Sequence, residues 1–243
     1  MSRWLTPLLA AVVAAFLLRP QLFAPLLAPI SAGGPAIYDR ASLLALTVSH
    51  LGIVLMAILP ATLLAIGCAV LVTRRSGAEF LPLSRAIVGF GQSFPPLAVL
   101  ALTVPVLGFG TWPTVVALFL YALLPIFENA LAGLQNIRPN ILEAADGAGM
   151  RPAQRIRLVE LPLAAPLILE GVRIAAIVSL STATIGSTVA AKGLGEVIIA
   201  GLNAQNSAFV VQGGLLTGAL AVLISQVFSL LIRRLDVRTH RNE

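Results

Sequence analysis

Six mostly apolar stretches, roughly residues 4–19, 48–72, 85–107, 113–134, 166–190 and 209–232, limit what this chain can fold into. A helix needs about 20 such residues to cross a bilayer. Only 11% of the 243 residues are charged and 58% are hydrophobic, whereas soluble domains carry about 25% charged residues. The chain cannot cover a soluble surface. It reads as an all-α, polytopic membrane protein with about six transmembrane helices. Residues 1–243 form a single transmembrane domain in this reading, with an extra N-terminal span at about 4–19 and a core at about 45–235. The run from Leu5 to Leu18 follows Arg3 and resembles a signal peptide. The stretch from Arg19 to Pro25 lacks a small-x-small cleavage site, so an uncleaved first helix is expected. The run from Leu43 to Thr73 exceeds one span, and Pro60 should kink it. Gly89, Gly91 and Pro95-Pro96 should partly unwind the third candidate. Residues 191–208 read as a loop with a short helix.

The net charge of +6 is not a nucleic-acid signal, because the basic residues sit mainly between apolar runs. With both termini inside, the inner surface holds Arg3, Arg74, Arg75, Arg85, Arg138, Arg151, Arg155, Arg157, Arg233, Arg234, Arg238 and Arg241. The outer surface holds only Arg19, Arg40 and Lys192, and Arg173 falls within the fifth span. Positive charge favours the cytoplasmic side, so both termini and the 135–165 loop are expected there. Cys68 is the only cysteine, and His50 and His240 lie far apart, so no metal site is expected. His50 reads as an interfacial or packed histidine. The nearest approach to a phosphate-binding loop, residues 186–192, lacks the glycine before Lys192 and the Ser/Thr after it. ATP must then be bound by a separate partner, with no cofactor in this chain.

The 135–165 loop is the longest polar segment. Within it, Glu143-Ala144-Ala145 is followed after three residues by Gly149, after nine more by Val159, and after one more by Leu161-Pro162. Ala144 and Ala148 stand four apart, as do Ala145 and Gly149. On a helix each pair shares a face, where small side chains admit a close neighbour. Gly147 and Gly149 can end a helix, and Pro152 suits the first turn of another. Arg151 and Arg155 are then expected on one face of that second helix. The spacing predicts two short helices with a sharp turn between them.

This pattern resembles the EAA loop of the permease subunits of bacterial ABC importers, with Val159 where isoleucine is commoner. The resemblance implies a type I ABC importer permease in the bacterial inner membrane. It further implies partners: an ABC ATPase dimer, a second permease subunit (identical or homologous) and a periplasmic substrate-binding protein. Glu143, Ala144, Ala145, Gly149, Arg151, Arg155, Val159, Leu161 and Pro162 would couple to the ATPase. Other stretches resemble permeases for osmoprotectants such as glycine betaine, choline and carnitine. They are Ser49-His50-Leu51, Gly91-Gln92-Ser93-Phe94-Pro95-Pro96, Tyr121-Ala122-Leu123-Leu124-Pro125-Ile126, Gly171-Val172-Arg173-Ile174-Ala175, Thr182-Ala183-Thr184-Ile185-Gly186 and Gly193-Leu194-Gly195. Methionine permeases share parts of them. Relatives often have Gly-Gly-Leu-Gly where this chain has Lys192-Gly193-Leu194-Gly195.

Polar residues inside spans are costly and mark a path or a packing contact. Gln92 and Ser93, beside the double proline, are path candidates. So are Ser179, Thr182 and Thr184 in the hydroxyl-rich middle of the fifth span. Glu170 and Arg173 stand three apart and should pair. Glu128 and Asn129 should satisfy each other or a neighbouring helix. With two Trp and two Tyr in the chain, no aromatic cage for a quaternary ammonium is visible. A methionine or other small-solute permease remains open. So does an ion-coupled secondary transporter, which would need more mid-membrane charge, and a membrane scaffold that recruits an ATPase without transporting.

Overall fold

The computed structural model describes residues 5–240, with side chains through 235. The side chains of Arg3, Arg238, His240 and Arg241, named above, lie outside it. The described residues are mostly helical, with no strand among them. Helix α1 is Leu5–Leu18, α2 Leu43–Val72, α3 Leu81–Phe90, α4 Pro96–Leu107 and α5 Thr111–Gln135. Then come α6 Pro139–Gly147, α7 Pro152–Ala183, α8 Leu194–Asn203 and α9 Ser207–His240.

Four of the expected spans are single helices long and apolar enough to cross a membrane: α2, α5, α7 and the part of α9 through Leu235. The other two are bent pairs, each long and apolar enough only when its two helices are taken together. Helix α1 covers 14 of the described residues and turns by 108° into the helical segment Pro20–Ile30. Proline disfavours helical geometry in the residue before it, and Arg19, preceding Pro20, adopts φ −137°, ψ 65°. The third candidate breaks where its glycines and prolines predict. Segment Ala78–Ser93 meets α4 at 91°, with Pro95 extended at ψ 143°. Pro60, by contrast, sits within a continuous α2. Membrane helices tolerate proline when the freed groups find other partners. The hydroxyl-rich stretch is not the middle of a span, because α7 starts earlier and stops at Ala183. A 3-10 turn, Ile185–Val189, follows and ends at left-handed Ala190. Thr184 is therefore at the helix end.

Two compact units make up the chain, and each long helix contributes a part of its length to each. One unit contains the segment up to Ala57 with Phe94–Phe119 and Ala176–Gln226. Its core packs Val13, Leu43, Leu46, Leu194, Val197 and Leu216 around Tyr38 and Phe209, whose rings meet edge-on at 5.3 Å. The segment before α2 is held there by side chains. Fully buried Gln212 donates from Nε2 to the Ala36 carbonyl (2.9 Å) and accepts the Tyr38 N–H at Oε1 (3.1 Å). Asn206 donates to the Pro35 carbonyl at 2.9 Å. The Tyr38 hydroxyl donates to Glu196 at 2.8 Å, and burial first, then that carboxylate, pushes the phenol up to about 12. His50 is packed, as expected: it is buried, with Nε2 3.0 Å from the Leu180 carbonyl. Gln212→Ala should lower stability by about 2 kcal/mol, because it orphans buried backbone groups. Faster amide exchange at residues 36–38 would report it, and unchanged exchange would refute the tether.

The other unit contains Ile58–Ser93, Leu120–Ala175 and the segment from Val227. Its helices approach closely at glycines. A Cβ on Gly171 would lie 2.7 Å from both the Pro125 carbonyl oxygen and the Asn129 Cβ. Glu128 pairs with Arg85 of α3 through two contacts of 2.9 and 3.1 Å, and Asn129 donates to the Pro125 carbonyl at 2.8 Å. Glu170 pairs with Arg173, as their spacing predicts, and Arg173 also donates to Ser229 at 3.0 Å.

Candidate functional site

The polar loop folds as a helix–turn–helix whose geometry follows from its sequence. Arg138, before Pro139, is extended at ψ 133°, and the proline opens α6. Helix α6 ends in a Schellman motif. The Met150 N–H bonds the Ala145 carbonyl (3.2 Å) and the Gly149 N–H bonds the Asp146 carbonyl (3.0 Å). That closure requires a left-handed residue, and Gly149 supplies it at φ +73°. Arg151 is extended at ψ 152° before Pro152, which starts α7. Gln154 folds back so that its Oε1 accepts the Arg151 N–H at 2.9 Å.

Two pairings expected from helical spacing fail here. Ala145 is buried and Gly149 exposed, because the helix ends at Gly147 and Gly149 lies beyond it. Arg151 is exposed and Arg155 half-buried, because Arg151 precedes the second helix rather than belonging to it. Glu143, Ala144, Ala148, Gly149, Arg151 and Pro162 are exposed, while Val159 and Leu161 are half-buried.

Immediately after the first turn of α7, residues Ile156–Glu160 form a π turn. Its i→i+5 hydrogen bonding stacks residues five apart. Arg155 therefore reaches Glu160, with Nε donating to Oε1 at 2.9 Å. The same guanidinium donates from Nη1 to both oxygens of Asp146 at 2.7 Å. Glu160 is buried, and Arg74 also donates to it, from Nη1 to Oε1 at 2.8 Å and from Nη2 to Oε2. Sequence reading missed this cluster. Arg74 and Glu160 lie 86 residues apart, and no local spacing joins them.

The path candidates fall in different units. Gln92 and Ser93 form an exposed 3-10 turn at the α3/α4 break. Gln92 donates to the Tyr121 carbonyl at 3.1 Å. Ser179 is buried, and its Oγ has no hydrogen-bond partner among the described residues. Thr182 is half-buried, and Thr184 donates to the Ser181 carbonyl at 2.7 Å. Among the described residues no three His, Cys, Asp or Glu side chains are grouped to hold a metal.

Long apolar helices joined to a charged helical hairpin define a polytopic membrane protein. The chain belongs to the family described as the binding-protein-dependent transport system inner membrane component, whose model matches residues 61–241. It is 39% identical over 190 residues to the choline transport system permease protein OpuBB of Bacillus subtilis, covering 78% of this chain and 86% of that one. It is 36% identical over 200 residues to the osmoprotectant import permease protein OsmY of Salmonella typhimurium, covering 82% and 85%. A chain of the MetNI methionine ABC transporter in an inward-facing conformation shares its fold, with TM-score 0.70 and 23% identity over 79% of this chain and 95% of that one. Like these relatives the chain is a transport permease and not itself an enzyme.

Proposed function

We propose that the chain forms half of the translocation path of an ATP-driven importer for an osmoprotectant such as glycine betaine or choline. Identity of 36–39% to permeases named for choline and osmoprotectants carries the substrate class. The hairpin, closed by Gly149 and presenting exposed Glu143, Ala144, Ala148 and Arg151, carries the coupling role. In this reading two permease subunits, identical or homologous, face each other. Two ATPase subunits sit on the cytoplasmic side, and a periplasmic protein delivers the ligand. The arginine asymmetry supports cytoplasmic termini and a cytoplasmic hairpin.

Glu143, Ala144, Ala145, Gly149, Arg151, Arg155, Val159, Leu161 and Pro162 form the docking hairpin in this proposal. Its exposed small residues let the backbone lie close in a partner's groove. ATP binding draws the ATPase subunits together, the hairpins move with them, and the path turns outward to receive the ligand. Hydrolysis resets it inward. Converting a two-state equilibrium from 1:99 to 99:1 takes about 5.5 kcal/mol, so a hairpin that yields under load would waste the input. Gln92, Ser93, Ser179, Thr182 and Thr184 offer weak polar contacts along the path, and selection rests with the delivering protein.

ATP-dependent uptake of labelled glycine betaine tests the proposal. Cells carrying the transport system are compared with cells lacking only this chain, with competing betaine carriers removed. Loss of uptake is expected. Unchanged uptake would overturn the osmoprotectant assignment, and uptake of labelled methionine in its place would redirect the substrate class.

A further inference from the structure

The ion pairs around Glu160 join three pieces of chain: the C-terminal end of α2, α6 and the start of α7. Helix α6 closes on itself through its Schellman motif, and α7 starts afresh at Pro152, so the extended link between them can flex as a hinge. Asp146 and Arg155 bridge that hinge with two 2.7 Å contacts to one guanidinium nitrogen. The π turn then carries Glu160 beneath Arg155. A buried carboxylate is costly unless its oxygens are paired, and here two arginines pair both, which fixes its position. Arg74 is itself fixed to α2: its Nε donates to the Val70 carbonyl at 3.1 Å, at the helix C-terminus where a cation is favoured.

We propose that Asp146, Arg155, Glu160 and Arg74 form a transmission relay that makes the hairpin and the C-terminal end of α2 move as one rigid lever. The inference rests on the coupling reading above and adds the elements that carry the load. All four residues belong to the same compact unit. The two ends of the relay differ. Asp146 is exposed, and solvent-exposed pairs add little to stability, so losing its charge leaves the fold intact and loosens the hinge only modestly. Glu160 is buried, so removing an arginine from it perturbs more strongly.

The test uses the permease–ATPase complex in liposomes with the binding protein and glycine betaine. Spin labels are placed at Ser76→Cys and Ala153→Cys, both exposed positions, in a Cys68→Ala background. Asp146→Asn, at an exposed pair, is expected to assemble with the ATPase and to keep basal hydrolysis within about twofold. Arg74→Gln, which breaks a buried pair, should assemble in lower yield and is compared per assembled complex. Ligand-stimulated hydrolysis and uptake should fall together, about tenfold for Arg74→Gln and less for Asp146→Asn. The distance distribution between labels should be narrow in the parent and broad in Arg74→Gln. Arg74→Lys, which keeps the charge but loses the two-pronged fork, should fall between. A narrow distribution with full stimulation in Arg74→Gln overturns the relay. Loss of assembly in both Arg74→Gln and Asp146→Asn overturns it too, since it assigns the cluster to folding alone. The label distance can be read on the permease without ATPase. A parent that stays rigid but never binds ATPase therefore refutes the docking reading, while a parent that is already loose refutes the relay.

Discussion

Replacing Gly149 with Asp is expected to leave the protein inserted in the membrane while ATP-dependent uptake falls about 100-fold, the effect of losing roughly 3 kcal/mol of docking free energy. Glycine does two things at this position. Its φ of +73° costs an ordinary side chain about 1–2 kcal/mol, but Asp is among the residues that visit this region. No atom lies within 4 Å of a Cβ built there, so the new carboxylate meets open space within the chain. The fold therefore loses little. The partner surface loses a close backbone approach and gains a desolvated charge, which is costly unless paired. Gly149→Asn, with similar shape and no charge, should retain more activity. Wild-type uptake by a normally expressed Gly149→Asp protein would remove Gly149 from the coupling surface.

Gly171→Val is expected to have the largest effect on stability, about 2–3 kcal/mol, as an overpacked contact. A Cβ at Gly171 would lie 2.7 Å from the Pro125 carbonyl oxygen and 3.1 Å from the Ile126 Cα. Those are backbone atoms of α5, so no side chain can swing aside and the two helices must part. The Asn129 Cβ, equally fixed to α5, would lie 2.7 Å from the same position. Thermal unfolding of the purified permease should show a midpoint several degrees lower, at roughly 2–4 °C per kcal/mol for a chain of this size. Gly171→Ala should show a smaller shift. An unchanged midpoint in Gly171→Val would show that α5 and α7 do not press together there.

Length and apolarity made the four long helices legible, and Pro95-Pro96 marked the sharp break between α3 and α4. The hairpin was legible as well, because Gly149 and Pro152 have backbone preferences that mark a helix end and a helix start. The bend after the first apolar run was not foreseen: Pro20, following Arg19, ends α1 and turns the chain. The inward turn of Arg155 was also missed. Helical spacing assumes an α-helix beginning at Arg151, and neither the cap nor the π turn obeys that period. Contacts between distant segments left no trace at all. Arg74 with Glu160, or Gln212 with Ala36, have no periodic relation that one sequence can display.

The π turn gives the hairpin a property that residue identities alone do not convey. One hydrogen-bonded turn there encloses an additional residue, so everything after Glu160 is rotated relative to what an unbroken α-helix would give. Each residue in an α-helix turns the chain by about 100°. The nine positions between Gly149 and Val159 thus act as a gear setting, fixing the angle at which the hairpin meets the rest of α7. A chain with the same chemistry but one residue fewer in that interval would keep every recognisable side chain and present them at the wrong phase.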